Sequence, residues 1–338
     1  MDHRHRHDAK GLEQTRVSRS RRPRRQRFRW VVVLGLLVGL VFSATGIAEL
    51  YVVTTSKPLS VPGDLHFVQT GTYATRYEAW GALTKHPIVL LHGAFESVVT
   101  WVPLAHVLEA SSHVEAYDLK GYGYTDHRAP YTVQALSEQL EAFLKARHLV
   151  HPVLVGHSLG AGVIAAFVLE HPTEAAGMVF LDGDGLSMEY PGQILQPLLI
   201  EPFRTALFRS VVRSDFLLST IFSMACGPDC RPLTPSELQD LRRPLLVSGA
   251  EQALIGYMQH PIVGISRAQR VALGRLHVPA RVIAGVADSV LPPIEARRTA
   301  LVLHAPPPTE IAGAGHLALW SDPRAAAKPI QELLSQLG

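Results

Sequence analysis

An apolar strand, a glycine-flanked serine and an apolar helix follow one another in the stretch Pro152-Val153-Leu154-Val155-Gly156-His157-Ser158-Leu159-Gly160-Ala161-Gly162. A serine in so sharp a turn has strained backbone angles, and Gly156 and Gly160 remove the Cβ atoms that would collide across it. Such a turn presents Ser158 at the C-terminal edge of a sheet and at a helix N-terminus, where N–H groups can stabilise an oxyanion. A chance G-x-S-x-G is the alternative, which the flanking strand and helix disfavour. The stretch predicts a serine nucleophile.

The segments around this turn predict an α/β fold, because strand-like and helical runs alternate as in parallel βαβ units. Strands are expected at 65–70, 75–80, 88–91, 113–118, 153–155, 178–182, 280–284 and 309–311. Helices are expected near 101–110, 133–148, 159–170, 294–303 and 324–337. Between them, helical runs at 193–223, 235–241 and 249–258 predict an inserted cap at 185–277. The core is then 64–184 plus 278–338, within a chain of 338 residues that is 47% hydrophobic.

The amino-terminal part has the pattern of a membrane anchor. Residues 16–29 are crowded with arginine, residues 30–48 carry no charge, and Glu49 is the first charge beyond them. This predicts a disordered cytoplasmic tail at 1–29, a transmembrane helix at 30–48 and a linker at 49–63. The protein would be a single-pass membrane protein with an extracytoplasmic catalytic domain. A cleaved signal peptide is the alternative, because residues 43–45 are small.

The basic run also raises the question of nucleic acid, although the formal net charge of +3 reflects the crowding of arginine at 16–29 and the rest of the chain is mildly acidic. It lacks interleaved aromatic residues and adjoins an apolar segment, so proximity to anionic lipid is favoured and no nucleic-acid partner is expected. His3, His5 and His7 resemble a metal-binding tract only weakly, and a disordered tail accounts for them. We predict no metal site and no cofactor.

Ser158 needs a base, and His316 follows the last predicted strand in a loop of small residues, Ala312-Gly313-Ala314-Gly315-His316. Asp288 follows the penultimate strand and completes the chain order serine, acid, histidine. It would hold the imidazole tautomer and stabilise the imidazolium. Asp182 and Asp184 remain alternative acids.

Backbone amides complete the predicted site. His92-Gly93-Ala94 follows a buried strand, so the amides of Ala94 and Leu159 can form a two-donor oxyanion hole. His92 is interpreted as a structural hydrogen-bonding residue. The glycine-rich loop 118–125 lacks Walker features and is expected to shape the site.

Together these pieces resemble the α/β-hydrolase superfamily, in its capped branch of esterases, lipases and epoxide hydrolases. The resemblance spans about residues 64 to 338 and is carried by 92–94, 118–125, 156–160, Asp288 and 313–316. It implies an α/β-hydrolase fold. Epoxide hydrolases and haloalkane dehalogenases have an aspartate nucleophile where this chain has Ser158, so those activities are disfavoured.

Two functions follow as hypotheses. The first is a membrane-anchored serine hydrolase of carboxylic esters or related acyl compounds, with a small acyl or lipid-like substrate. The second is a catalytically silent scaffold or binding protein at the membrane that keeps the fold. A serine-reactive fluorophosphonate probe discriminates between them.

The only two cysteines, Cys226 and Cys230, lie close together in the predicted cap. Gly227 and Pro228 between them favour a turn, and an exported domain would allow a disulfide to persist. Paired free thiols are the alternative. A zinc site is disfavoured, because no suitably spaced additional ligands are evident nearby.

Overall fold

The computed structural model describes residues 39, 43, 58–186, 203–259 and 263–337. The chain divides into two units, residues 1–55 and 56–338. Within the described part, no helix has both the length and the apolar character to cross a bilayer. The predicted tail at 1–29 lies outside the described residues, as do the predicted span at 30–48, apart from Gly39 and Ser43, and the linker up to residue 57.

The second unit is built on an eight-stranded sheet of order β1-β2-β4-β3-β5-β6-β7-β8. The strands are β1 His66–Thr70, β2 Tyr73–Trp80, β3 Pro87–Leu91, β4 His113–Tyr117, β5 Val153–His157, β6 Gly177–Leu181, β7 Ala280–Gly285 and β8 Thr309–Ile311. Strand β2 is antiparallel to β1 and β4, and the other pairs are parallel. All eight predicted strands are confirmed to within two residues at each end. For the central strands β3, β5 and β6, the prediction succeeds because strands buried on both faces are continuous apolar runs.

Helices cover both faces of the sheet and form the cap. They are α1 Val102–Leu108, α2 Val133–Arg147, α3 Leu159–Glu170, α4 Phe203–Arg213, α5 Asp215–Cys226, α6 Pro235–Arg242, α7 Ala250–Met258, α8 Arg267–Gly274, α9 Pro293–Val302, α10 Ala318–Ser321 and α11 Pro323–Leu337. Short 3₁₀ helices span Val98–Trp101 and Arg243–Leu246.

Alternate residues of the central strands enter two different cores. Val89 and Leu91 of β3 pack with α2 and α3 on one face of the sheet. Ile88 and Leu90 pack with α1 and α11 on the other face. This is the period of two expected for a strand covered on both sides. The fold is therefore a mostly parallel sheet between helical layers, as predicted.

The insertion leaves and rejoins the core at one place. Leu186 forms a parallel bridge with Ile265, whose N–H donates to the carbonyl of Gly185 over 2.9 Å. The described part of the helical run predicted at 193–223, residues 203–223, is divided between two helices, because Ser214 follows α4 and caps α5 by accepting the N–H of Leu217. Helix α8, within the predicted cap range 185–277, packs instead against α3 and α9. Its packing associates α8 with the core.

Candidate active site

The turn between β5 and α3 has the geometry that its glycines predict. Ser158 has φ 50° and ψ −112°, a strained conformation for a residue with a Cβ atom. A Cβ on Gly160 would lie 2.1 Å from the carbonyl oxygen of Leu91, and one on Gly156 would lie 2.5 Å from the backbone of Gly160. Both positions therefore require glycine for the turn to form.

Ser158, His316 and Asp288 lie in one hydrogen-bonded chain. The Nε2 of His316 is 2.9 Å from the Ser158 Oγ, and its Nδ1 is 2.8 Å from the Asp288 Oδ2. The other Asp288 oxygen accepts the N–H groups of Val290 and Leu291, at 2.7 and 2.9 Å. A buried carboxylate held in this way can accept the Nδ1–H and leave Nε2 free to take a proton from the serine.

The two alternative acids have other partners. Asp182 accepts the N–H of Gly285 at 2.8 Å with one oxygen and that of Ala318 at 2.9 Å with the other. Asp184 accepts the N–H of Leu186 and lies 3.5 Å from Arg270. Among the three aspartates, the imidazole of His316 is hydrogen-bonded to Asp288.

The predicted oxyanion donors border a common cavity. Ala94 and Leu159 line a space of about 300 Å³ together with Ser158 and His316. Leu159 is the first residue of α3, where an N–H has no partner within the helix. His92, as interpreted from the sequence, is structural: its Nδ1 lies 2.7 Å from the Gly93 carbonyl and its Nε2 accepts the Leu119 N–H.

A buried charged cluster that the sequence did not predict lies beneath this site. His157 is fully buried, with Nδ1 2.9 Å from the carboxylate of Glu96 and Nε2 2.7 Å from the backbone carbonyl of His316. The same Glu96 accepts the N–H of Gly93 at 3.2 Å. Glu96 and His157 therefore link the turn at Ala94 to the loop that carries His316. A histidine between Gly156 and Ser158 and a glutamate after Gly93 were the available signals, but neither identifies its partner.

The cluster is arranged for a charged imidazole. Burial alone would lower the pKa of His157, but the carboxylates of Glu96 and Asp182 outweigh it and raise the pKa to about 9. Burial also raises the pKa of Asp182 to about 6, against the opposing effect of His157. Burial would raise the pKa of Glu96, and His157 reverses this and holds it below its usual value. The Glu96–His157 pair is therefore ionised at neutral pH.

We expect His157→Gln to remove a pH dependence of stability. Because the folded-state pKa of His157 is raised from 6.5 to about 9, its contribution is complete below pH 6.5 and is lost as the pH rises through 9. The shift corresponds to about 3 kcal/mol in the free energy of unfolding. Urea unfolding at pH values from 6 to 10 measures it, with His106→Gln, at an exposed position, as the control. A variant that keeps the wild-type pH dependence would contradict the prediction.

A second, larger cavity lies under the cap. It measures about 480 Å³ and is walled by apolar residues of α4 and α5, among them Phe208, Val211, Leu218 and Phe222. Its floor includes Ala94 and His316, which also line the smaller cavity. His316 therefore borders both cavities, and Ser158 lines the smaller one. Among the described residues, no group of three or more His, Cys, Asp or Glu side chains could hold a metal ion.

Residues 86–217 match a family model described as the alpha/beta hydrolase fold. Ethanol acetyltransferase 1 of Cyberlindnera jadinii is 28% identical over 131 residues, 38% of this chain and 37% of that protein. The chain spans less than half the length of the curated relatives that it matches first.

Solved structures share the fold over more of the chain. An esterase from Rhodococcus sp. ECU1013 superposes with a TM-score of 0.64 at 21% identity, covering 81% of this chain and 99% of that one. A thermophilic esterase from Thermogutta terrifontis has a TM-score of 0.61 at 20% identity, with coverage of 81% and 99%. At these identities the likeness is one of fold.

Proposed function

We propose that this enzyme, which belongs to the α/β-hydrolase superfamily, is a serine hydrolase that cleaves carboxylic esters or related acyl compounds with an apolar arm. One observation carries the proposal: the unbroken hydrogen-bonded chain from Ser158 through His316 to Asp288, in which Ser158 lines the smaller cavity and His316 borders both cavities. A chance pentapeptide does not account for three residues converging from distant parts of the chain.

The geometry supports a two-step reaction. His316 Nε2 removes the proton as the Ser158 Oγ attacks the carbonyl carbon, and Asp288 stabilises the imidazolium that forms. The amides of Ala94 and Leu159 stabilise the oxyanion. His316 then donates its proton to the departing alcohol, and the acyl group stays on Ser158. Water, deprotonated by the same imidazole, attacks the acyl-enzyme and releases the acid.

The test is labelling of the full-length protein with a fluorophosphonate, followed by hydrolysis of 4-nitrophenyl esters. Stoichiometric labelling with turnover supports the proposal. A folded protein that is neither labelled nor active supports the silent scaffold instead. Because matched relatives are named ethanol acetyltransferases, added ethanol should be included in the assay. Formation of an ethyl ester would reveal acyl transfer to the alcohol in competition with water.

The cavity under the cap supports an apolar arm as the specificity element. Each buried methylene contributes about 0.8 kcal/mol, or about a fourfold gain in kcat/KM. We expect kcat/KM to rise by this factor for each methylene added to one arm of the ester, either the acyl or the alcohol arm, until the arm fills the cavity. Val211→Trp should remove the gain and leave an acetate ester with a short alcohol unaffected. Two ester series, each lengthening one arm, provide the measurement, and length independence in both would contradict the assignment.

We also propose that the enzyme is membrane-anchored through residues 30–48, with the catalytic domain outside the cytoplasm. Helix α5 is apolar on two sides: Phe222 lines the cavity, while Phe216 and Met224 are 74% and 75% exposed. These exposed apolar side chains support the proposal that the cap lies against a lipid surface. The chain also enters the domain beside the cap, where Leu59 donates its N–H to the carbonyl of Leu246.

Anchoring has a direct measurement. Full-length protein should stay with membranes after carbonate extraction, and externally added protease should reach the catalytic domain. Phe216→Ser with Met224→Ser should weaken binding of residues 56–338 to anionic vesicles if that segment folds alone. If residues 56–338 do not fold alone, the same two substitutions are made in the full chain. Its activity on an ester carried in vesicles should then be lower than that of the unsubstituted chain. Release by carbonate would contradict the anchor, and a concentration-dependent dimer without vesicle binding would assign the exposed face to a second copy.

A further inference from the structure

The cap contains a small closed loop, residues 226–230. Cys226 and Cys230 form a disulfide with their Cα atoms 5.6 Å apart, so the structure pairs the two cysteines as the sequence predicted. Gly227 turns the chain at φ 102°, and the N–H of Cys230 donates to its carbonyl over 3.1 Å. Cys226 is fully buried, whereas Cys230 is partly buried. We call residues 226–230 the disulfide loop.

The disulfide loop is hydrogen-bonded to the loop that carries His316. The N–H of Gly315, immediately before His316, donates to the carbonyl of Cys226 over 2.7 Å. The N–H of Asp229 donates to the carbonyl of Gly313 over 3.1 Å. Two backbone hydrogen bonds of opposite direction thus join the cap to residues 313–315.

Glycines make this approach possible. A Cβ on Gly227 would lie 2.3 Å from the Gly315 nitrogen, and a Cβ on Gly315 would lie 2.4 Å from the carbonyl oxygen of Ala225. Such distances leave no space for a side chain on either side. The small residues before His316 therefore serve two purposes: they bring the imidazole over the sheet edge and admit the disulfide loop.

The opposite side of the His316 loop is held by the core. The N–H of Ala287 donates to the carbonyl of Ala314 over 2.8 Å, and a Cβ on Gly285 would lie 2.1 Å from the Gly315 oxygen. Asp288 follows directly in this core segment. Residues 313–315 are thus enclosed between the segment that carries Asp288 and the disulfide loop.

We propose that the disulfide loop is a positioning element for His316, a role that rests on the proposed function. The bond keeps the turn at 226–230 closed, so that Cys226 and Asp229 together hold the backbone before His316. A displacement of about 1 Å in such a residue can cost about 100-fold in rate. Closing so short a loop constrains the unfolded chain little, so the bond's main effect is local.

The experiment opens the bond in two ways in the full-length protein. Incubation with a dithiol transfers two electrons and two protons to the disulfide and yields two cysteine thiols and the oxidised dithiol. Cys230→Ala opens it without reductant and leaves the buried Cys226 in place. We expect kcat and the rate of fluorophosphonate labelling to fall about 10- to 100-fold. KM should change less than kcat, because Phe208, Val211 and Leu218 of the apolar cavity lie outside the disulfide loop, and reoxidation should restore kcat.

Two further measurements separate a positioning role from simple loss of structure. Thermal unfolding should show that the reduced protein remains folded at the assay temperature. Glu237→Gln is the matched control: it weakens the exposed ion pair with Arg231 and should leave kcat and exchange at 313–316 unchanged. An unchanged kcat with two titrated thiols would overturn the proposal, as would a loss of kcat matching the unfolded fraction.

Hydrogen exchange keeps the outcome distinct from that of the proposed function. Opening the bond should accelerate amide exchange in a peptide containing Gly315, whether or not the protein hydrolyses esters. The oxidised protein could prove inactive and unlabelled while opening the bond still accelerates exchange. In that case the serine hydrolase assignment fails, but the disulfide loop is still shown to hold the backbone before His316. Unchanged exchange after complete reduction would show that the disulfide loop does not hold this backbone, and would overturn the proposal.

Discussion

Ser158→Ala should abolish fluorophosphonate labelling and lower kcat for a good ester substrate by about 10⁴- to 10⁶-fold. Alanine lacks the oxygen that receives the acyl group, so the covalent path is lost while the cavities remain. His316→Ala should reduce kcat to a similar extent, because an unassisted serine is almost fully protonated at neutral pH. The double variant should be little worse than either single one, since residues that act as a unit are not additive.

Ser97→Ala is the matched control for this substitution. Ser97 lines the larger cavity and is buried, but it makes no capping hydrogen bond to the 3₁₀ helix that follows it. We expect a change in kcat of less than about tenfold and normal labelling. Steady-state kinetics on freshly purified protein, with circular dichroism as a folding check, decide the matter. Near-normal hydrolysis by Ser158→Ala would contradict the assignment.

The parts of the site that could be predicted from sequence are those determined by local geometry. Gly156 and Gly160 are needed because the chain doubles back within a few residues, and a pentapeptide is enough to display that need. His316 and Asp288 were predicted from their order after strands, because the carboxyl ends of parallel strands meet at one sheet edge. Ser158, Asp288 and His316 are therefore within hydrogen-bonding distance of one another along the chain of contacts, although they are far apart in sequence.

The buried ion pairs Glu96–His157 and Asp184–Arg270 could not be predicted in this way. Glu96 lies beside His157 because β3 and β5 are neighbours in the sheet. The order of strands in the sheet cannot be deduced from the residues of either strand alone. Helix α8 was missed for a similar reason. Its Arg270 suggests a solvated face, yet it is 5% exposed and lies against Thr299 and Asp184. A buried charge is evident only once its partners are placed.

Asp288→Asn should lower kcat by about 10⁴-fold while the protein remains folded. The reason lies in the fixed orientation of this side chain. One Asp288 oxygen accepts the N–H groups of Val290 and Leu291, so the amide oxygen of an asparagine must occupy that place. Its NH₂ group then faces the Nδ1 of His316, which must become an acceptor. The ring proton moves to Nε2, where it prevents the imidazole from accepting the proton of Ser158.

Asp184→Asn and Asp182→Asn complete the comparison. Asp184 points to Leu186 and Arg270, so its substitution should change kcat less than about tenfold. Asp182 accepts backbone N–H groups with both oxygens, so an asparagine there places an NH₂ against an N–H and leaves a buried donor unpaired. That should cost about 1–3 kcal/mol in unfolding free energy. We therefore expect Asp182→Asn to lower the melting temperature more than kcat, and Asp288→Asn to do the reverse. Measuring both quantities on all three variants tests the assignment, since a kcat loss at position 182 or 184 greater than that at 288 would identify a different acid.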